Sequence, residues 1–127
     1  MKKKILIGTA TYNECKNITR LVSDIFNQKI DLNVLIIDDN SPDGTIVILK
    51  RLSKKYKNKF NFIVRKKKLG LDTAHKLIYK HALKKRFDYL ITMDADLSHD
   101  PKEISKILYQ LKFNEFVIGS RYMKGGK

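Results

Sequence analysis

The sequence has little cysteine and lacks a long apolar run. Its 127 residues include one cysteine, Cys15, which excludes an internal disulfide and any zinc site built from several cysteines. Cys15 stands at the start of a predicted helix, where we expect a buried or neutral thiol rather than a nucleophile. The lysine-rich start leads into only Ile5-Leu6-Ile7 before Gly8, far short of the roughly 18 apolar residues that span a bilayer. These absences predict a soluble, cytoplasmic chain.

Acidic residues are also scarce. The chain has 13 Asp and Glu against 27 Lys and Arg, a formal net charge of +14. Such charge suits an anionic partner such as a phosphate, a membrane surface or nucleic acid, although lysines spread over solvated faces explain it equally well. The basic stretches have no interleaved aromatics of an RNA-binding kind, so no nucleic-acid partner is expected. The three histidines, His75, His81 and His99, share no metal-ligand spacing, and each is expected to be structural or exposed.

What the sequence does contain is the pattern of one α/β domain over residues 1–127. Apolar residues make up 43% of the chain, enough for a real core, and no repeat or linker interrupts it. Short apolar runs alternate with segments of helical period, which predicts a mostly parallel sheet with helices on both faces, in three layers. The predicted strands are 4–10, 34–37, 60–64, 89–93 and 116–118. The first predicted helix begins at Asn13 and Glu14. The further predicted helices cover residues 45–56, 71–85 and 101 to about 112.

Two acidic pairs follow predicted strands directly. Asp38-Asp39 comes after the second strand, and Asp94 and Asp96 come after the fourth. Ligands of open parallel sheets bind at that edge. Two carboxylates spaced i, i+2 in a turn can approach one Mg²⁺ or Mn²⁺ and leave coordination positions for diphosphate oxygens. The competing interpretation is a helix-capping turn.

Other residues near this edge suit a nucleotide. Tyr12 and Glu14 follow the first strand, where a ring can flank a base and a carboxylate can accept from base or ribose; a capping Asn-Glu pair is the structural alternative. Asp39 could act in the same way, against an Asx-turn before Pro42. Arg121, past the fifth predicted strand, would bring a permanent cation suited to phosphate.

Five segments occur in an order that resembles a known family. They are Thr11-Tyr12-Asn13-Glu14, Ile36-Ile37-Asp38-Asp39-Asn40-Ser41-Pro42-Asp43-Gly44-Thr45, Lys68-Leu69-Gly70-Leu71, Met93-Asp94-Ala95-Asp96-Leu97-Ser98-His99-Asp100-Pro101 and Gly119-Ser120-Arg121-Tyr122. They resemble the family 2, inverting, GT-A-fold glycosyltransferases, and within them the polyprenol-phosphate (dolichol-phosphate) mannosyltransferase branch.

The resemblance implies transfer of mannose from GDP-mannose to dolichyl or polyprenyl phosphate, with Mg²⁺ or Mn²⁺. It implies that the nucleotide pocket is lined by Ala10, Tyr12, Glu14, Ile37 and Asp39. Asp94, Ala95 and Asp96 would hold the donor diphosphate and metal, Ser98 would complete the metal site, and Arg121 would meet the acceptor phosphate. Asp94, Asp96 and Arg121 are thus the expected catalytic residues.

The resemblance also implies that the chain contacts the cytoplasmic face of the membrane peripherally. A membrane-anchoring subunit is a possible partner. Ala10 stands where the family usually has proline, Asp72 where it usually has glycine, and the family's C-terminal acceptor segment is expected to be missing beyond Gly125-Gly126. Two alternatives stay open. One is a related family 2 transferase with another donor such as UDP-glucose, and the other is a non-catalytic nucleotide-binding remnant.

Overall fold

The computed structural model describes residues 3–67 and 69–111. The predicted strand at 116–118 lies outside them. The four described strands are β1 (Ile5–Thr11), β2 (Asn33–Asp38), β3 (Phe60–Val64) and β4 (Tyr89–Thr92). The four α-helices are α1 (Ile18–Phe26), α2 (Thr45–Tyr56), α3 (Leu71–Lys84) and α4 (Glu103–Leu111). None of the helices in these ranges has the length and apolar character needed to cross a bilayer.

All four strands are parallel and lie in the order β3-β2-β1-β4. The chain builds the sheet outward from β1 to β3 and then crosses back to place β4 on the other side of β1. The strand order therefore reverses between β1 and β4, which is where open α/β sheets place their ligands, outside the carboxyl ends of the strands.

Helices cover both faces of the sheet, so the predicted three-layer α/β architecture is confirmed. One core joins side chains such as Ile7 and Ile36 to α1, α2 and α4, and half-buried Phe26 of α1 stacks on Tyr56 of α2 with ring centroids 4.2 Å apart. The second core lies under α3 and holds Ile37.

Gly8 allows α3 to pack closely on β1. A Cβ atom built at Gly8 would lie 2.5 Å from Cγ2 of Ile78, closer than real side chains approach. The small residues Ala74 and Ala82 line the same face of α3 and are buried with Ile78. Small side chains on both elements thus bring the helix down onto the strand.

The first helix begins later than predicted, at Ile18 rather than at Asn13 and Glu14. Asn13 has a φ of +59°, outside the helical region, and its N–H donates to Ser41 Oγ at 2.9 Å. The Glu14 carbonyl accepts hydrogen bonds from the N–H groups of Asn17 and Ile18, forming a turn that leads into the helix. Residues 12–17 are therefore a loop at the carboxyl edge of the sheet.

Candidate functional site

The loop after β2 is anchored by Asp38, which is fully buried. Asp38 Oδ1 accepts hydrogen bonds from the hydroxyls of Thr11 and Ser41 at 2.6 and 2.7 Å, and Oδ2 accepts from the Ser41 N–H at 2.8 Å. Ser41 Oγ in turn accepts from the Asn13 N–H. Asp38 thus joins the ends of β1 and β2 and fixes both loops relative to each other.

Asp39 forms a two-point ion pair with Arg65, the first residue after β3. Arg65 Nε lies 2.6 Å from Asp39 Oδ1 and Nη2 lies 3.0 Å from Oδ2. The Leu69 N–H also donates to Oδ2 at 3.2 Å, and the guanidinium donates to Thr73 Oγ1 and the Gly70 carbonyl. Asp39, predicted to contact the nucleotide, is therefore held rigidly by an arginine that sequence reasoning missed. The position of Arg65 directly after a strand, at the same edge as Asp39, was the signal.

Asp43 closes the same loop. Its Oδ1 accepts from the N–H and hydroxyl of Thr45 at 3.1 and 2.5 Å, and its Oδ2 accepts from the Cys15 N–H at 3.1 Å. Burial opposes ionisation, but the hydrogen bonds from Thr45 and Cys15 outweigh it and lower the pKa of Asp43 to about 2. The hydrogen bond with Asp43 raises the pKa of the Cys15 thiol. A neutral Cys15, as expected from the sequence, follows.

Tyr12 and Glu14 lie in the loop after β1, at the same edge as Asp39. The Tyr12 side chain is exposed, and Glu14 Oε1 accepts from Asn17 Nδ2 at 3.1 Å. Glu14 thus also holds the turn before α1, but it does not cap the helix, because α1 begins at Ile18 and its first turn has no side-chain cap. An accessible ring beside a partly buried carboxylate remains compatible with the predicted nucleotide contacts.

The loop after β4 is a tight reversal of the chain. Leu97 has a φ of +67°, a conformation that branched and bulky residues rarely adopt. The Ser98 N–H donates to Asp96 Oδ1 at 3.0 Å, and His99 then turns back so that its Nδ1 accepts the Asp94 N–H at 3.1 Å. His99 was expected only to be structural or exposed; the structure buries it against a predicted site residue.

Asp96 is exposed and poised to carry charge. Hydrogen bonds from the Ser98 hydroxyl and N–H lower the pKa of Asp96, so it is ionised at neutral pH. Within residues 3–67 and 69–111, no group of three or more His, Cys, Asp and Glu side chains could hold a metal ion alone. Two carboxylates on one turn still suit Mg²⁺ or Mn²⁺ when diphosphate oxygens and water complete the shell. Asp94 and Asp96 thus supply oxygen donors of the kind these ions take, and the metal site stays a prediction.

Three predicted site residues are apolar and can contact a ligand through little more than their backbone atoms. Ile37 is fully buried under α3, half-buried Ala10 packs on the same core, and Ala95 is buried in the opposite core. Arg121, the predicted acceptor-side cation, lies outside the described residues.

A cavity of about 280 Å³ lies at the opposite, amino edge of the sheet. It is lined by Lys3, Lys4, Ile5, Asp31, Asn33 and Lys59. Lys59 already pairs with Asp31. This pocket contains none of the predicted site residues, because the amino and carboxyl edges of a parallel sheet lie at opposite ends of the domain.

Comparison with known proteins matches the chain to one family. The sequence profile of glycosyl transferase family 2 matches residues 6–127. The chain is 40% identical over 127 residues to a dolichol-phosphate mannosyltransferase of Pyrococcus furiosus, covering 98% of this chain and 35% of the relative. It is 32% identical over 125 residues to a polyprenol monophosphomannose synthase of Mycolicibacterium smegmatis, covering 98% of this chain and 47% of the relative. The chain thus spans less than half the length of either curated relative.

Two solved structures share the fold. The mannosyltransferase PcManGT of Pyrobaculum calidifontis, in complex with GDP-Man and Mn²⁺, superposes with a TM-score of 0.67 at 22% identity, covering 76% of this chain and 28% of that one. Residues 1–349 of S. aureus TarS, in complex with UDP-GlcNAc, give the same TM-score and identity, covering 90% and 32%. At this identity the likeness concerns the fold alone.

Proposed function

This chain belongs to glycosyl transferase family 2, and from that premise we propose that it transfers mannose from GDP-mannose to dolichyl or polyprenyl phosphate with inversion at the anomeric carbon. The observation that carries the proposal is that the acidic residues of two loops, after β2 and after β4, lie at the same edge of the sheet. Asp39 is fixed by Arg65 on one side of β1, and Asp94 with ionised Asp96 lies on the other. The names of the two curated relatives support mannose as the transferred sugar and a polyprenyl or dolichyl phosphate as the acceptor.

The proposed donor site divides along β1. Tyr12, Glu14 and Asp39 would meet the nucleoside, with Arg65 holding Asp39 in a fixed orientation. Asp94 and Asp96 would hold Mg²⁺ or Mn²⁺ with the diphosphate, assisted by Ser98. When bound, the metal supplies positive charge that stabilises the GDP leaving group.

The chain's own residues would act mainly by positioning. An acceptor that is already a phosphate anion needs little help from a general base, so orientation of the two reactants would provide much of the rate. The hydrogen bonds of Asp38 with Thr11 and Ser41 would keep the loops after β1 and β2 from shifting during this alignment. Arg121 is proposed to meet the acceptor phosphate.

The donor half of the proposal is tested by calorimetric titration of the chain with GDP and with UDP, each with Mn²⁺ and then with a chelator. We expect GDP to bind more tightly than UDP and the affinity to fall when the metal is removed. Equal binding that does not depend on metal would contradict the metal-diphosphate site. Tighter binding of UDP would favour the alternative donor.

The acceptor half is tested by transfer of labelled mannose from GDP-mannose to a short polyprenyl phosphate. Transfer that needs Mn²⁺ or Mg²⁺ is the expected result. Binding of GDP without any transfer would favour a nucleotide-binding remnant over an active transferase.

Peripheral contact with the cytoplasmic membrane face is proposed for the outer surface of α3, where a membrane-anchoring partner subunit could also bind. Leu83 is 80% exposed and Tyr79 50% exposed, and Lys76, Lys80 and Lys84 lie beside them on the same helix. Apolar side chains flanked by lysines suit an anionic bilayer surface. We expect the chain to sediment with vesicles only when they contain an anionic lipid. Leu83→Ser should weaken that binding, whereas Val47→Ser, at an exposed apolar position of α2, should leave it unchanged.

A further inference from the structure

The ring of His99 lies against Asp94 through both of its nitrogens. Nδ1 accepts the Asp94 backbone N–H at 3.1 Å, and Nε2 lies 3.8 Å from Asp94 Oδ2. His99 as a residue is only 7% exposed. One buried side chain thus faces both the backbone and the carboxylate of a single residue.

The hydrogen bond at Nδ1 determines where the proton of the neutral ring lies. Because Nδ1 accepts, the proton must be on Nε2. Within the described part of the chain, Nε2 is buried and has no hydrogen-bond partner. Buried donors are nearly always paired in folded proteins, so one this close to a carboxylate calls for an explanation.

The turn between the two residues keeps the ring in this place. Leu97 adopts a left-handed conformation, and the Ser98 N–H is bound to Asp96. On the other side of His99, Asp100 Oδ1 accepts the Lys102 N–H in the turn that precedes α4, and Pro101 is buried. The imidazole is therefore held from both sides, and Asp94 Oδ2 needs to approach Nε2 by only about 0.6–1 Å to form a hydrogen bond.

We propose that His99 is a positioning residue for Asp94. Its Nδ1 fixes the Asp94 backbone, and its Nε2–H donates to Asp94 Oδ2 when the donor diphosphate and metal draw the carboxylate into place. The Asp94 carboxylate is then held in one orientation while the ligand is bound. The inference rests on the proposed function, since it requires Asp94 to meet the donor. Outer hydrogen bonds of this kind orient metal-binding carboxylates and tune their affinity.

A buried water is the competing partner for Nε2. A cavity of about 10 Å³ adjoins His99, between β4 and α4, and is lined in part by Thr92, Met93 and Glu103. That volume is at the lower limit for a single water molecule. A water there would satisfy Nε2 whether or not a ligand is bound, whereas pairing with Asp94 should strengthen on binding.

The first test is ¹⁵N NMR of the histidine-labelled chain in mildly alkaline buffer. We expect the free chain to have the His99 proton on Nε2, and addition of Mg²⁺ and GDP to shift the Nε2 proton downfield as the hydrogen bond forms. A proton on Nδ1, or an Nε2 signal unchanged at saturating Mg²⁺-GDP, would overturn the role of His99. A separate GDP titration shows whether the chain is saturated. If that titration detects no GDP binding, the proposed function is rejected, and the role of His99 is rejected with it.

The second test separates the two nitrogens by substitution. In His99→Asn the amide oxygen replaces the acceptor Nδ1 but no group replaces the Nε2 donor, whereas in His99→Gln the amide nitrogen replaces Nε2. We expect His99→Asn to lower the affinity for Mn²⁺ in the presence of GDP by about 10- to 100-fold, and His99→Gln to restore part of it. GDP binding without metal should change little in either variant.

His75 is a half-buried histidine of α3, and His75→Asn is therefore the matched control. This variant should bind Mn²⁺ as the unchanged chain does. Equal Mn²⁺ affinity in all three variants would contradict the proposal. If His99→Asn does not fold, as thermal unfolding would reveal, the NMR result on the unchanged chain decides.

Discussion

The loops after β2 and β4 both carry aspartates at the same sheet edge, but they are built differently. After β2, Asp38, Asp39 and Asp43 all bind donors from neighbouring elements, and Asp38 and Asp39 are almost completely buried. After β4, Asp96 is exposed, Leu97 is strained, and the nearby His99 Nε2 has no hydrogen-bond partner among the described residues.

This difference indicates two roles for acidic residues in one site. The β2 loop is complete without a ligand, as suits a surface that recognises a nucleoside by fixed shape. The β4 loop keeps strain and an unsatisfied donor, features that persist where a ligand completes the structure. Substitutions in the two loops should therefore differ, with those in the β2 loop mainly lowering stability and those in the β4 loop mainly lowering ligand binding.

The largest effect is expected at the β4 loop, on binding. Asp96→Asn removes one of two carboxylates proposed to hold the metal, so the Mn²⁺-dependent affinity for GDP should fall by about 100-fold, or roughly 3 kcal/mol. Stability to urea should change by less than about 0.5 kcal/mol, because the side chain is exposed. Calorimetry and urea unfolding measure the two quantities. Asp24→Asn, on α1, is the control, and a similar loss of GDP affinity in it would refute the assignment.

An effect of similar size is expected at the β2 loop, on stability. Arg65→Met would leave Asp39 as a buried charge without its ion pair, at a cost of about 3 kcal/mol in the free energy of unfolding. The two side chains are only 10% and 9% exposed. Arg65→Lys should recover part of the loss, since lysine keeps the charge but not the two-point geometry. Urea unfolding measures both variants.

The matched control for Arg65 is Arg20, whose partner Asp24 lies one helical turn away. These side chains are 74% and 41% exposed, so Arg20→Met should cost no more than about 0.5 kcal/mol. Comparable losses at the two arginines would mean that the Arg65 pair is not structural.

A smaller loss of stability is expected where β1 meets the β2 loop. Thr11→Val removes the hydroxyl that donates to Asp38 Oδ1 at 2.6 Å and should cost about 1–2 kcal/mol, because the carboxylate stays buried with one donor fewer. Thr19→Val, at an exposed position of α1, controls for the change of side chain. Equal unfolding free energies for the two variants would argue against Asp38 as the anchor of the loops.

The order of elements could be predicted from the sequence because it follows from local periodicity. The bounds of α2 and β3 agree with the predicted 45–56 and 60–64, since each carries an uninterrupted pattern and Gly44 directly precedes the helix. The start of α1 was missed because Asn13 adopts a left-handed conformation in a hydrogen bond to a distant loop. No local pattern contains that contact.

The site could be predicted only as far as its edge. That Asp39 and Asp94 follow neighbouring strands is readable from the chain, but their partners depend on strand order and on loop shape. Arg65 reaches Asp39 because β3 lies beside β2. His99 reaches Asp94 because residue 97 takes a left-handed conformation in the turn, and it does so as a leucine, where glycine or asparagine would be expected. Composition gives no signal for a strained leucine.

The smallest effect is expected in acid, at Asp43 of the β2 loop. Its pKa of about 2 in the folded chain lies below the ordinary 3.8, so the folded state binds fewer protons than the unfolded state between these values. Asp43 therefore stabilises the fold above about pH 4, and that contribution is lost as the pH falls towards 2. Thr45→Val removes one of the donors that keep the carboxylate ionised, so the carboxyl titration followed by NMR should move up towards 3.8 and the acid-dependent loss of stability should shrink. Because the Asp43 side chain is exposed, solvent screening keeps this contribution small. If the Asp43 carboxyl of the unchanged chain already titrated with a midpoint near 3.8, the β2 loop would be less firmly closed than its hydrogen bonds indicate.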